Sequence, residues 1–107
     1  MGDDARFVVI YRWRIAPGRR AEFERAWERV TRAIRDGCGS GGSALFRDDD
    51  GVYTAIARWP SEDARARCAA GAPEDFAIMR ECTVERLPEL RLHAVADLWT
   101  SDRYGSG

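Results

Sequence analysis

Tyr11, Trp13, Tyr53 and Trp59 are the side chains best suited to walling a pocket for a flat organic ligand. Four tryptophans in 107 residues add weight to an aromatic-lined cavity. Packing in an ordinary core is the competing role for each of them. Arg12 and Arg58 lie beside these aromatics but alternate to the opposite face, where they would bind an acid, an interface or water. His93 is the sole histidine. Histidine as a residue type suits proton transfer at neutral pH, but on a strand a structural or surface role is the favoured reading. Cys82 sits beside an apolar stripe and reads as an inert buried thiol.

Other patterns carry less chemistry than they suggest. Gly37-Cys38-Gly39-Ser40-Gly41-Gly42 matches the spacing of a dinucleotide fingerprint, but a helix precedes it and a strand follows, the reverse of what that site needs. Asp48-Asp49-Asp50-Gly51 lacks the loop length and closing Glu of a calcium site and reads as a turn. With one histidine, multi-histidine metal sites are excluded, so no metal is expected. Cys38, Cys68 and Cys82 are odd in number and widely spaced, without C-x-x-C. Reduced thiols and a cytoplasmic location are therefore expected, not a disulfide scaffold.

The chain has 17 basic and 18 acidic residues and a net charge of -1, which exerts no long-range pull on nucleic acid or acidic membranes. Every basic residue is Arg, and Lys, Asn and Gln are absent, a bias expected of a GC-rich bacterial genome. Schiff-base chemistry and side-chain amide chemistry are thereby excluded. No apolar run is long enough to span a membrane, and the acidic start Met1-Gly2-Asp3-Asp4 does not resemble a secretory leader. The length fits one domain over 1–107, with a core from about 6 to 99 and a loose tail at 100–107.

The elements that position these residues follow from periodicity. Residues 6–15 are rich in β-branched and aromatic types and predict a strand, stopped by Pro17-Gly18. Phe23, Trp27, Val30 and Ile34 recur at helical spacing, predicting a helix over about 19–36 capped by Gly37. Ser43–Arg47 and Val52–Trp59 form a hairpin about Asp50-Gly51. Ser61 caps a short helix running to about Ala70. A further helix starts at Glu74, carries Phe76, Met79, Thr83 and Leu87 on one face, and ends at Pro88. Alternation over Leu90–Trp99 gives a last strand. The β-α-β-β-α-β order is the ferredoxin-like arrangement, an α+β fold with helices on one face of a four-stranded antiparallel sheet.

Both faces of that sheet are apolar. Phe7, Val9, Tyr11, Trp13 and Ile15 point one way while Val8 and Ile10 point the other; Val52, Thr54 and Ile56 oppose Tyr53, Ala55, Ala57 and Trp59. Each large aliphatic group left in water forgoes about 1.5–3 kcal/mol. A homodimer packed sheet to sheet removes that loss.

These segments carry a resemblance. Phe7–Ile15 with Pro17-Gly18, the Phe23…Ala26-Trp27…Val30-Thr31…Ile34 helix, Gly39-Ser40 leading into Ser43–Arg47, and Ala57-Arg58-Trp59-Pro60-Ser61 before an acidic helix start are similar to the antibiotic biosynthesis monooxygenase family. The resemblance implies the ferredoxin-like fold and a dimeric α/β barrel made by packing two sheets. It also implies cofactor-free oxygenation of aromatic polyketides or quinols, with Trp59 at the pocket-lining position of the third strand. The haem-degrading branch adds an Asn and a helical His that this chain does not have. The polyketide branch adds an Asn, a Tyr and an Arg; Arg65 and Arg67 are the nearby arginines.

Two functions follow. One is a cofactor-independent monooxygenase of a small aromatic molecule. A deprotonated phenol passes an electron directly to oxygen, given an apolar pocket, an orienting cation and exclusion of water. Trp59, His93 and Arg65 are then the catalytic candidates, and Tyr11, Trp13, Trp59, Phe76 and Met79 the substrate-binding ones. The alternative is a non-catalytic small-molecule-binding homodimer of the same fold.

Overall fold

The computed structural model describes residues 7–98. Strand β1 (Phe7–Ile15) leads through a short turn at Pro17–Arg19 into helix α1 (Arg20–Cys38). Strands β2 (Gly42–Arg47) and β3 (Val52–Trp59) form a hairpin, followed by helices α2 (Glu62–Ala66) and α3 (Pro73–Cys82) and strand β4 (Thr83–His93). The sheet order is β2-β3-β1-β4, antiparallel throughout, with its edges open. This is the α+β, ferredoxin-like arrangement.

Local chemistry accounts for the junctions. The carboxylate of Asp48 accepts from the amides of Asp50 (2.8 Å) and Val52 (3.0 Å), which closes the β2–β3 turn. The Ser61 hydroxyl accepts from the Ala64 amide at 3.0 Å and starts α2. Gly71 has φ 104°, and a Cβ there would come within 2.6 Å of the Phe76 ring, so glycine is required where α3 folds back.

Four sequence expectations are corrected. Helix α1 continues to Cys38, and Gly39, at φ 69°, takes the left-handed cap position expected of Gly37. Gly37 stays helical and lies against Ala70, whose Cβ would be 3.3 Å from a side chain placed there. Helix α2 stops at Ala66, short of Ala70. Helix α3 stops at Cys82, so Thr83 and Leu87 belong to a strand. That strand starts seven residues before the expected Leu90 because β1 offers it a full ladder, from Ile15 opposite Thr83 to Phe7 opposite His93. Pro88 is tolerated because β4 is an edge strand and Pro88 lies in a bulge opposite Tyr11, where no ladder donor is needed. The strand ends at His93, and the expected Trp99 lies outside the described residues.

The fourth correction concerns the thiols. Cys38 and Cys68 form a disulfide, with Cα atoms 5.5 Å apart. Thirty positions separate them in sequence, but the end of α1 and the loop after α2 meet in space. Cys82 is free and fully buried.

The core lies between the sheet and the helices. Phe7, Val9, Trp13, Ile15, Tyr53, Ala55 and Trp59 face Phe23, Ala26, Val30, Met79 and Cys82. Burying this many large apolar groups is the dominant favourable contribution to folding. On the opposite face, register places Val8 and Ile10 beside Ile56, Leu90 and Leu92. Phe46, Leu90 and Leu92 are about half exposed there, so the apolar second face expected from sequence is present.

Candidate functional site

A cavity of about 520 Å³ lies between the sheet and the helices. Strand β1 supplies Tyr11 and Trp13, α1 supplies Trp27, β3 supplies Trp59, and α3 supplies Phe76 and Met79. All five residues expected from sequence to contact substrate therefore line one cavity. Tyr11 and Trp13 stack at 5.8 Å with an interplanar angle of 16°, which gives a flat wall. Thr31, Ser43, Thr83 and Arg80 add polar groups at its margin. Its size and apolar lining suit a small organic molecule.

Trp59 is 96% buried and clusters with Phe7 and Val9, a group against which Ala57, Ala64 and the two bridged cysteines pack. Its indole Nε1 is buried without a hydrogen-bond partner. A buried N–H without an acceptor is costly and uncommon, so this donor calls for an explanation.

Tyr11 lies in a contrasting environment. The Arg65 guanidinium donates to its hydroxyl from Nε (3.1 Å) and Nη2 (3.0 Å). The same Arg65 bonds Glu89 at 3.1 Å. Glu89 also receives Arg91 at 3.0 Å and faces Arg86 at 3.6 Å. The guanidinium carbons of Arg65 and Arg86 lie 5.7 and 5.9 Å from the Tyr11 ring centre. Burial raises the Glu89 carboxyl, but Arg91, Arg65 and Arg86 outweigh it and hold the group below the usual carboxylate range. Burial likewise lowers Arg65, yet its bonds to Tyr11 and Glu89 leave it above its ordinary value. Arg65 therefore stays cationic and Glu89 anionic at neutral pH.

The β4 bulge assembles this network. Leu87 and Leu90 are three positions apart yet pair with Arg12 and Ile10 on the open face. The extra residue shifts the alternation, so Glu89 joins Arg86 on the side facing Arg65. Reading a helix as far as Pro88 hid both residues. The β-branched Thr83-Val84 pair directly after Cys82 is the signal that marks the earlier strand start.

The three catalytic candidates are not brought together. Trp59 lines the cavity and Arg65 reaches its wall through Tyr11. His93 is exposed at the end of β4, its ring 5.2 Å from that of Phe7, and is not among the cavity-lining residues. Tyr53 packs in the core against Phe23 and donates to Glu24 instead of lining the cavity. Arg58 pairs with Asp97 at 3.5 Å. Among the described residues, no three His, Cys, Asp or Glu side chains cluster as metal ligands. Among them too, no helix is long and apolar enough to cross a membrane.

The family model described as Antibiotic biosynthesis monooxygenase matches residues 6–72, which include β1, α1, the hairpin and α2. The chain belongs to the antibiotic biosynthesis monooxygenase family. Solved structures of similar fold agree. SnoaB, a cofactor-independent oxygenase from Streptomyces nogalater, has a TM-score of 0.70 at 24% identity, covering 91% of this chain and 98% of its own. A Caulobacter crescentus protein described as a candidate antibiotic biosynthesis monooxygenase has a TM-score of 0.73 at 21% identity, covering 88% and 93%. Rv0793 from Mycobacterium tuberculosis has a TM-score of 0.70 at 18% identity, covering 87% and 98%. No curated protein matches the chain. At these identities the structures share the fold of this family member; its chemistry rests on its own residues.

Proposed function

We propose that the chain is a cofactor-independent monooxygenase of a small phenol, naphthol or quinol, acting as a homodimer. The observation that carries this reading is the unpartnered Nε1 of Trp59, a residue that lines an aromatic-walled cavity. An oxygen on a bound aromatic molecule supplies the acceptor this donor lacks once the wall gives way, because Nε1 is sealed in the empty protein. The membership of the family and the fold shared with the oxygenase SnoaB support the same chemistry.

In the reaction, the phenol loses its proton and the phenolate passes one electron to oxygen. The resulting radical pair combines at a ring carbon. The hydroperoxide so formed loses water and leaves a ring carbonyl. For 1-naphthol the balance is one naphthol and one O₂ to one naphthoquinone and one water. The apolar walls exclude water, the Trp59 N–H steadies developing charge on oxygen, and Arg65 holds Tyr11 in place on the same sheet face.

The open sheet face covers itself with a second copy, through Phe46, Leu90, Leu92 and their neighbours. The reading takes the chain as cytoplasmic, where a disulfide is more often transient than permanent. Oxygen uptake across a panel of phenols and naphthols tests the proposal. Uptake with at least one substrate, falling on Trp59→Phe, is expected. Binding without uptake leaves a carrier of aromatic molecules, and neither binding nor uptake removes the proposal.

A further inference from the structure

The Cys38–Cys68 bridge joins the two segments that frame the Trp59 end of the cavity. Cys38 is the last residue of α1, and Cys68 lies two residues past α2. Both cysteines pack against the Phe7–Val9–Trp59 group, as does Ala64 of α2. Both are also half-buried and line a second, surface pocket of about 410 Å³ with Gly37, Arg67, Ala69 and Ala70. The disulfide therefore packs against the Phe7–Val9–Trp59 group on one side and is within reach of a small thiol on the other.

Helix α2 has little else to hold it. It is five residues long, far below the length at which a helix persists alone. Its other ties include the Ser61 cap, the contact of Ala64 with the Trp59 group, and the bonds from Arg65 to Tyr11 and Glu89. Arg65 is the one of these that hydrogen-bonds a cavity-lining side chain.

We propose that the Cys38–Cys68 disulfide is a redox latch on the cavity: a dithiol opens it, α2 loosens, and Arg65 releases Tyr11. A thiolate of the dithiol attacks one sulfur and breaks the Cys38–Cys68 bond, leaving a mixed disulfide. The second thiol of the reagent then displaces the protein sulfur. The protein gains two electrons and two protons as a pair of thiols, and the reagent leaves as a disulfide. Cys82, fully buried, stays out of the exchange. The effect on the cavity rests on the function proposed above; the latch itself does not.

The test compares protein oxidised with diamide and protein reduced with dithiothreitol, each then freed of reagent. Thiol labelling after denaturation should count one thiol in the first and three in the second. Hydrogen exchange followed by mass spectrometry should show amides of 61–68 exchanging at least about tenfold faster after reduction, with the middle of α1 unchanged. Titration with 1-naphthol, read by tryptophan fluorescence, should show binding weakened about fivefold or more on reduction. The double variant Cys38→Ser/Cys68→Ser should behave as the reduced form and ignore dithiothreitol. If it fails to fold, reduced wild-type protein carries the comparison. Three thiols in diamide-treated protein, or unchanged exchange over 61–68, overturns the latch. Faster exchange with unaltered 1-naphthol affinity overturns its coupling to the cavity. If neither form binds 1-naphthol, the proposed function fails while the exchange data still decide the latch.

Discussion

The two polar walls of the cavity are built on opposite plans. At Tyr11 the hydroxyl takes two bonds from Arg65, which is tied to Glu89 and through it to Arg91 and Arg86. At Trp59 the indole N–H has no partner. A network in which the charges are shared among neighbours holds its members still, but has little left to offer a ligand. A buried donor without an acceptor does the reverse: it costs free energy in the empty protein and recovers it when an acceptor binds. Under the proposed function, the difference gives positioning to the Tyr11 side and recognition to the Trp59 side.

Trp59→Phe attacks the recognition wall and should have the largest effect. Removing a lone donor to a developing oxyanion costs roughly 10²-fold in kcat, about 2.7 kcal/mol. Steady-state oxygen uptake checks this, and a loss confined to KM would show that the N–H does not act in the transition state. Arg65→Met attacks the positioning wall. Glu89 keeps Arg86 and Arg91, so stability should fall only by about 1 kcal/mol. The released Tyr11 should weaken 1-naphthol binding, measured by fluorescence titration. An equal effect of Arg65→Met and Trp59→Phe on kcat would erase the distinction between the walls.

How much of this was legible in the sequence depends on whether the signal is local. The β1 residues Phe7, Val9, Tyr11 and Trp13, the turn at Asp50-Gly51 and the Ser61 cap each carry their instruction within a few positions, and each forms as expected. The aromatic lining was legible in part: alternation puts Tyr11 and Trp13 on one face of β1, whereas Trp59 joins them through the pairing of Phe7 with Trp59, which the sequence alone did not show. Pro88 misled because a proline usually stops a helix, whereas here an edge strand and a bulge accommodate it. Glu89 and Arg86 were hidden with it. The Cys38–Cys68 pairing depends on how α1 and the loop after α2 meet, which spacing does not encode. His93 was a catalytic candidate for its residue type, which says nothing about where β4 ends.

Acid sharpens the comparison further. Glu89 is held below its ordinary value, so its contribution to stability is complete above the unfolded-state pKa of about 4.3 and is lost as pH falls through the lower folded value. Thermal melts of wild type and Glu89→Gln should therefore differ near neutrality and converge in acid. Parallel curves at all pH values would remove Glu89 from the account. The smallest effect expected is that of Ser61→Ala, about 1 kcal/mol from the lost cap of α2. It acts on the helix that carries Arg65, so calorimetry should show a small drop in Tm while oxygen uptake at 25 °C stays close to wild type.

The most direct measurement is the indole N–H spectrum of ¹⁵N-tryptophan-labelled protein titrated with 1-naphthol. Four indole signals are expected, and the one missing from Trp59→Phe belongs to Trp59. The account predicts that this signal moves furthest, in the direction of a newly formed hydrogen bond, as the cavity fills. A Trp59 signal that stays in place while 1-naphthol binds and shifts Trp13 or Trp27 would contradict it.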